Sequence, residues 1–250
     1  MNKLLIFNFK TDISGIEIPA RLNNPFSSFV PEIAKIAASE FQDFINSESL
    51  NWNYDFKKQK GKMFGVLVVQ TQDNSLGYLG TISGKLSHNE TCSKFIPSIF
   101  DDSVDDFFIN KGMTALTAIS HEIKDATEEH KIQTLKEKRK QKSLAIQQQL
   151  FENYQFVSVS GKKENILDIF ENSAHGNPPS GAGECAGPKL LQYAIRHRLK
   201  PIAIAEFWWG IPKKSQEREH QGFYPACKNK CRPILEYMLE NTELFNERIL

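Results

Sequence analysis

The stretch "PPSGAGECAGPKLL", Pro178 to Leu191, and the stretch "KPIAIAEFWWG", Lys200 to Gly210, carry the fold in outline. Three glycines and three prolines in fourteen residues make a loop, and the apolar pattern that follows makes a helix opening near Cys185, with Pro188 suited to its first turn. Lys200 to Gly210 is short, continuous and apolar, which predicts a strand buried on both faces. Beyond it, "FYPACKNKCRPILEYML", Phe223 to Leu239, predicts a second helix start, with Pro233 early in it. The C-terminal part therefore reads as a helix-strand-helix unit.

Cysteines mark both helix starts. The positive end of a helix dipole stabilises a thiolate, the form that attacks carbon or binds metal. Cys227 and Cys231 stand at i and i+4, which turns two side chains the same way on a helix and lets both point at the start of the Cys185 helix. Three thiolates so placed predict a zinc site with one open position, where water takes the fourth place. His175, upstream in the same loop, is the other candidate ligand; if it closes the site, zinc is structural. The competing reading makes the three cysteines reduced, inert packing residues. Cys92 has no cysteine near it and reads as a small buried hydrophobe.

Working outward, the chain is expected to fold as an α/β (α+β) protein with a mixed sheet, in three regions. Residues 1–112 form an N-terminal α/β region. It has an amphipathic helix from Phe26 to Phe44, and a hairpin in "MFGVLVVQTQDNSLGYLGTISGKL", Met63 to Leu86, turning at Asp73-Asn74-Ser75. The acidic knot "FDDSVDDFF", Phe100 to Phe108, reads as a loop and helix start rather than a cation site. Residues 113–152 form a long exposed helix or helical hairpin, because "KEKRKQKS", Lys136 to Ser143, has no apolar residue to bury. Residues 153–250 hold the strand "QFVSVSG", Gln155 to Gly161, the short helix "ENILDIFEN" and the cysteine unit.

Composition bounds the function. Thirty-one Lys and Arg against 30 Asp and Glu give a net charge of +1, so a polyanion would need a local site rather than a bulk field. Such a site is available between Lys131 and Lys142, where six basic residues face one acid, Glu137; the alternative is a plain solvated helix face. The apolar run near the N-terminus, Leu4 to Phe7, is too short for a secretory or membrane segment. A cytoplasmic protein without a membrane role is the expectation, and four cysteines in that setting argue for thiols or metal ligands over disulfides.

The cysteine pattern resembles the cytidine-deaminase superfamily. In that superfamily one metal ligand opens a helix, a proline-cysteine loop supplies two more, and a Glu two residues after the first ligand handles protons. Here Pro225-Ala226-Cys227 with Cys231 matches loosely, Gly187 stands where the Glu belongs, and Glu184 precedes the cysteine instead. The longer segment from Pro178 to Leu239, with weaker support in "MFGVLVV" and "GTISGKL", resembles the N-terminal extension of some RluA-type pseudouridine synthases. That family's catalytic aspartate motif, His-Arg-Leu-Asp, has as its nearest string His197-Arg198-Leu199-Lys200, with lysine in the nucleophile's place. The resemblance thus implies the extension without the isomerase domain.

Two function classes follow. One is an RNA-binding or accessory module acting with a separate pseudouridine synthase chain, using Trp208, Trp209, Phe223 and Tyr224 as stacking faces and Lys213, Lys214, Arg218 and the basic helix near phosphates. The other is a zinc-dependent hydrolase of deaminase type, with Glu184 or Glu206 moving protons.

Overall fold

The computed structural model describes residues 4–48, 56, 61–84, 92–99, 102–174, 176–212 and 218–240, with the backbone alone at 102–107. Its centre is a three-stranded sheet in the order β2-β1-β5, formed by β1 (Lys62–Gln70), β2 (Leu76–Ile82) and β5 (Lys200–Trp209). Both pairings are antiparallel, so where a mixed sheet was expected the sheet is antiparallel, within the expected α+β class. The hairpin turn falls at Asp73-Asn74-Ser75, with Asn74 at φ 64°, a left-handed conformation that Asn tolerates well.

Strand alternation sorts the core into two layers. Phe64, Val66 and Val68 of β1 pack toward α1 (Glu32–Glu48), while Leu67 and Val69 pack toward α5 (Ala186–Arg196). Thus β5 is buried on both faces, as its unbroken apolar run requires. The first helix starts at Glu32, after Pro31, and not at Phe26 as its apolar spacing suggests. The stretch from Asn23 to Val30 is a loop, held by side-chain bonds that compete with helix.

The expected exposed segment is a helical hairpin. Helix α2 (Asp102–Asp125) begins inside the expected N-terminal region, and α3 (Glu129–Glu152) follows after a break at 126–128. The described part of the acidic knot, from residue 102, opens α2, and the side chains of its acids fall outside the described residues. After the hairpin come a two-stranded ribbon, β3 (Gln155–Val157) with β4 (Lys163–Asn165), then α4 (Ile166–Glu171), and at the far end α6 (Arg232–Met238). The regions expected at 1–112 and 153–250 contribute strands to the same sheet, and the hairpin is inserted between them. Among the described residues, no helix is long and apolar enough to cross a membrane.

Candidate metal centre

Close packing brings the start of α5 onto the sheet. Gly65 of β1 lies beneath it: a Cβ there would stand 2.7 Å from the Cβ of Ala186, so glycine lets the first turn of the helix approach closely. The Ala186 N–H donates to Ser83 Oγ at 3.0 Å, and the Gly84 N–H donates to the Glu184 carbonyl at 2.7 Å. The end of β2 thereby fixes Cys185, which caps α5 through its backbone while its side chain makes no capping bond.

The other two cysteines arrive by a different route. Residues 221–224 run along the outer edge of β5, bonded to Trp208 and Glu206, and the Ala226 N–H then donates to the Pro25 carbonyl at 2.8 Å. A single turn carries Cys227 to Cys231, closed by a 3.3 Å bond from the Cys231 N–H to the Cys227 carbonyl. The i, i+4 relation holds, but on a turn leading into α6 rather than inside a helix.

These two routes converge. The sulfurs of Cys185, Cys227 and Cys231 all lie within 4.8 Å of one another, and those of Cys227 and Cys231 are 3.3 Å apart. A tetrahedral ion with metal–sulfur bonds of about 2.3 Å needs sulfurs roughly 3.8 Å apart, so this donor set fits a metal ion with small adjustments. Cys231 is buried, Cys185 half-buried and Cys227 exposed, so the cluster reaches from core to surface. Hydrogen bonds from Cys185 and then Cys231 hold Cys227 well below the usual thiol range; the contact with Cys227 pushes the Cys185 thiol up against an opposing contact from Cys231, and contacts with Cys185 and then Cys227, with burial, push the Cys231 thiol up.

One carboxyl faces this cluster. Glu206, only 8% exposed, projects from β5 beneath the start of α5, and its Oε1 accepts the Gly187 N–H at 3.0 Å. A Cβ at position 187 would lie 2.9 Å from that oxygen, so the missing side chain of Gly187 leaves the room that the Glu206 carboxyl fills. Burial pushes the carboxyl up to about 7; the Gly187 N–H opposes this, the Cys227 charge adds to it and Arg218 opposes it.

Glu184 is engaged elsewhere. Its Oε1 accepts the Tyr154 hydroxyl at 2.5 Å, and its Oε2 lies 3.9 Å from Lys189 Nζ, which donates to the Gly84 carbonyl. It braces the loop before Cys185. His175 lies outside the described residues. The signal for Glu206 was present in the sequence as a lone charge inside "AIAEFWW", where a buried strand has no other reason to carry a carboxylate.

The aromatic residues divide as well. Trp208 and Trp209 are buried and offer no open stacking face, because β5 is covered on both sides. Arg218 lies over Trp208 and Tyr224, 5.0 and 5.4 Å from their ring centroids. Lys213 and Lys214 lie outside the described residues. The string His197-Arg198-Leu199-Lys200 closes α5: His197 stacks on Tyr193, and Arg198 takes a φ of 56° in the turn into β5. Cys92 is half-buried against the α1 layer, and burial raises its thiol. No protein-family profile, no curated protein and no solved structure matches this chain.

Proposed function

We propose that this chain is a zinc-dependent hydrolase of deaminase type, acting on a nucleobase or a related amino-substituted heterocycle. The observation that supports the reading is the meeting of three cysteine sulfurs with a buried carboxyl at the start of one helix. A bound zinc ion would supply Lewis acidity at its fourth position, where water and substrate meet. Glu206 handles the proton. With Oε1 occupied by the Gly187 N–H, Oε2 is the atom that takes a proton from water and returns one to the leaving amine, a task suited to a carboxyl near neutrality. Overall, water replaces the amino group and ammonia leaves. Glu184, set on Tyr154 and Lys189, holds Cys185 in place.

Metal analysis of protein prepared without chelator, with an ammonia-release assay on cytosine- and adenine-bearing nucleosides and RNA, tests this. The expected result is about one zinc per chain, and Glu206→Gln protein that keeps the zinc but releases no ammonia. Protein free of metal, or full activity in Glu206→Gln, overturns it.

A second observation favours an RNA context. Lys136, Lys138, Arg139, Lys140 and Lys142 are all exposed on α3. With the likeness to the RluA-type extension, this supports a chain that works on RNA beside a pseudouridine synthase partner. In this reading the chain alone forms no pseudouridine, since Lys200 stands where that family's aspartate belongs.

A further inference from the structure

The three sulfurs of the cluster are not equivalent. Cys227 is the most exposed of the three cysteines and Cys231 the most deeply buried, and their Sγ atoms stand 3.3 Å apart. Both lie on one turn, closed by the bond from the Cys231 N–H to the Cys227 carbonyl. A turn closed in this way sets the two Cα atoms roughly 6 Å apart, within the range a disulfide spans. Bonded sulfurs are about 2.05 Å apart, so side-chain rotation and a small closing of the turn would join this pair.

Cys185 is placed differently. It belongs to another element, anchored to the end of β2 by the bonds from the Ala186 N–H to Ser83 Oγ and from the Gly84 N–H to the Glu184 carbonyl. Joining Cys185 to either of the others would pull α5 and the turn together against those ties. Joining Cys227 to Cys231 stays within one turn. Thiolates are the metal-binding form of cysteine, so that link would remove two of the three ligands at once.

We infer that Cys227 and Cys231 are also a redox pair: a peroxide converts them to a disulfide, which expels the metal and leaves Cys185 as the one remaining thiol of the site. In the first step the Cys227 sulfur attacks a peroxide oxygen. An S–O bond forms, the O–O bond breaks, and the leaving hydroxide takes a proton to become water, so Cys227 is oxidised to a sulfenic acid. The Cys231 sulfur then attacks that of Cys227; the S–S bond forms, the S–O bond breaks, and hydroxide again leaves as water. Two thiolates, two protons and one hydrogen peroxide thus become one disulfide and two waters. The pairing rests on the sulfur geometry alone, and a consequent loss of activity rests on the hydrolase reading.

Zinc-loaded full-length protein, treated with increasing hydrogen peroxide and then alkylated, tests it through two readouts: free zinc by a chromophoric chelator, and unreduced tryptic peptides by mass spectrometry. Trypsin cuts after Lys228 and Lys230, so a link between Cys227 and Cys231 joins two otherwise separate peptides. The expected result is about one zinc released per link formed, with both changes reversed by dithiothreitol and fresh zinc. Cys185→Ser protein should form the same link, and Cys231→Ser protein should carry sulfenic or sulfinic acid at Cys227 instead. A link to Cys185 or Cys92 in place of this one, zinc lost while all three thiols stay free, or a link that leaves the zinc bound overturns the inference. Wild-type protein that binds no zinc yet forms the Cys227–Cys231 link upholds the pairing and sinks the hydrolase reading.

Discussion

The cysteine centre and the α2–α3 hairpin use their residues in opposite ways. Around the centre, β1, β5, α5 and α6 bury most of their side chains, and even the charges there, Glu206 and Lys189, have defined partners. Along α3 only Leu135 and Phe151 are buried, and the rest of the helix is half-buried or exposed. The hairpin holds together through a thin seam, with Leu116 and Ile119 buried and Gly112 closely packed on Ile146. Substitutions in the centre should therefore appear first as changes in folding and metal content. Those on the hairpin should appear in what the protein binds.

The largest effect is expected from Cys231→Ser. Cys231 is the buried cysteine of the three, so if the cluster holds a metal as proposed its loss should empty the site. It should also remove metal-linked stability of about 4 kcal/mol at a metal concentration a thousandfold above Kd. Thermal melts with and without chelator measure this: the wild-type protein should lose melting temperature on chelation, and the variant should not respond. Equal responses would break the contrast at its strongest point.

Next comes a pH effect in the metal-free protein. The Glu206 carboxyl is raised from 4.5 to about 7 on folding, so the folded state holds its proton more tightly. The associated stability is fully present below pH 4.5 and is lost as pH rises through about 7, roughly 3 kcal/mol across the window. Denaturant unfolding across that range in wild type and Glu206→Gln checks the sign. The variant should lose this slope, and a wild-type protein that gains stability as pH rises through the window would contradict the buried position of the carboxyl.

A pair of glycine substitutions sharpens the comparison. Gly187→Ala drives a methyl to within 2.9 Å of Glu206 Oε1, an oxygen already held by hydrogen bonding, and should cost about 1–3 kcal/mol. Gly112→Ala meets Ile146 Cδ1 at 2.6 Å, but that atom is the far end of a flexible side chain on an open hairpin. It should cost less, since alanine also favours helix. Melting temperatures of the two variants rank the sites, and a larger loss at Gly112 would reverse the argument.

How much of this was legible depended on how local the signal was. The β1–β2 hairpin, α5 and β5 follow from period and turn residues, because neighbours in sequence decide them. The convergence of Cys185 with Cys227 and Cys231 was legible too, since helix starts flanking one strand come together at one end of a sheet. Two things were not. The apolar spacing from Phe26 onward reads as helix, yet Asn23, Asn24 and Ser27 bind backbone groups and hold a loop, a competition that period alone cannot score. The other is the placing of Glu206, not its candidacy as a proton carrier: it lies 19 positions from the backbone N–H it meets, and only the sheet register brings it beneath Gly187.

The smallest change in stability should come from the hairpin. Replacing Lys136, Lys138, Arg139, Lys140 and Lys142 by glutamate alters five exposed positions on α3, each expected to shift stability by about 0.5 kcal/mol or less. Arg139 alone has a side-chain tie, donating to Ser120 Oγ at 2.8 Å across the hairpin, so it should account for most of whatever loss appears. RNA affinity should respond far more. Each phosphate contact removed should flatten the slope of log affinity against log salt by close to one unit, because fewer counterions are released on binding. Electrophoretic shift titrations at two salt concentrations read both quantities. Unchanged affinity and slope would leave α3 a merely solvated face and remove it from the RNA reading.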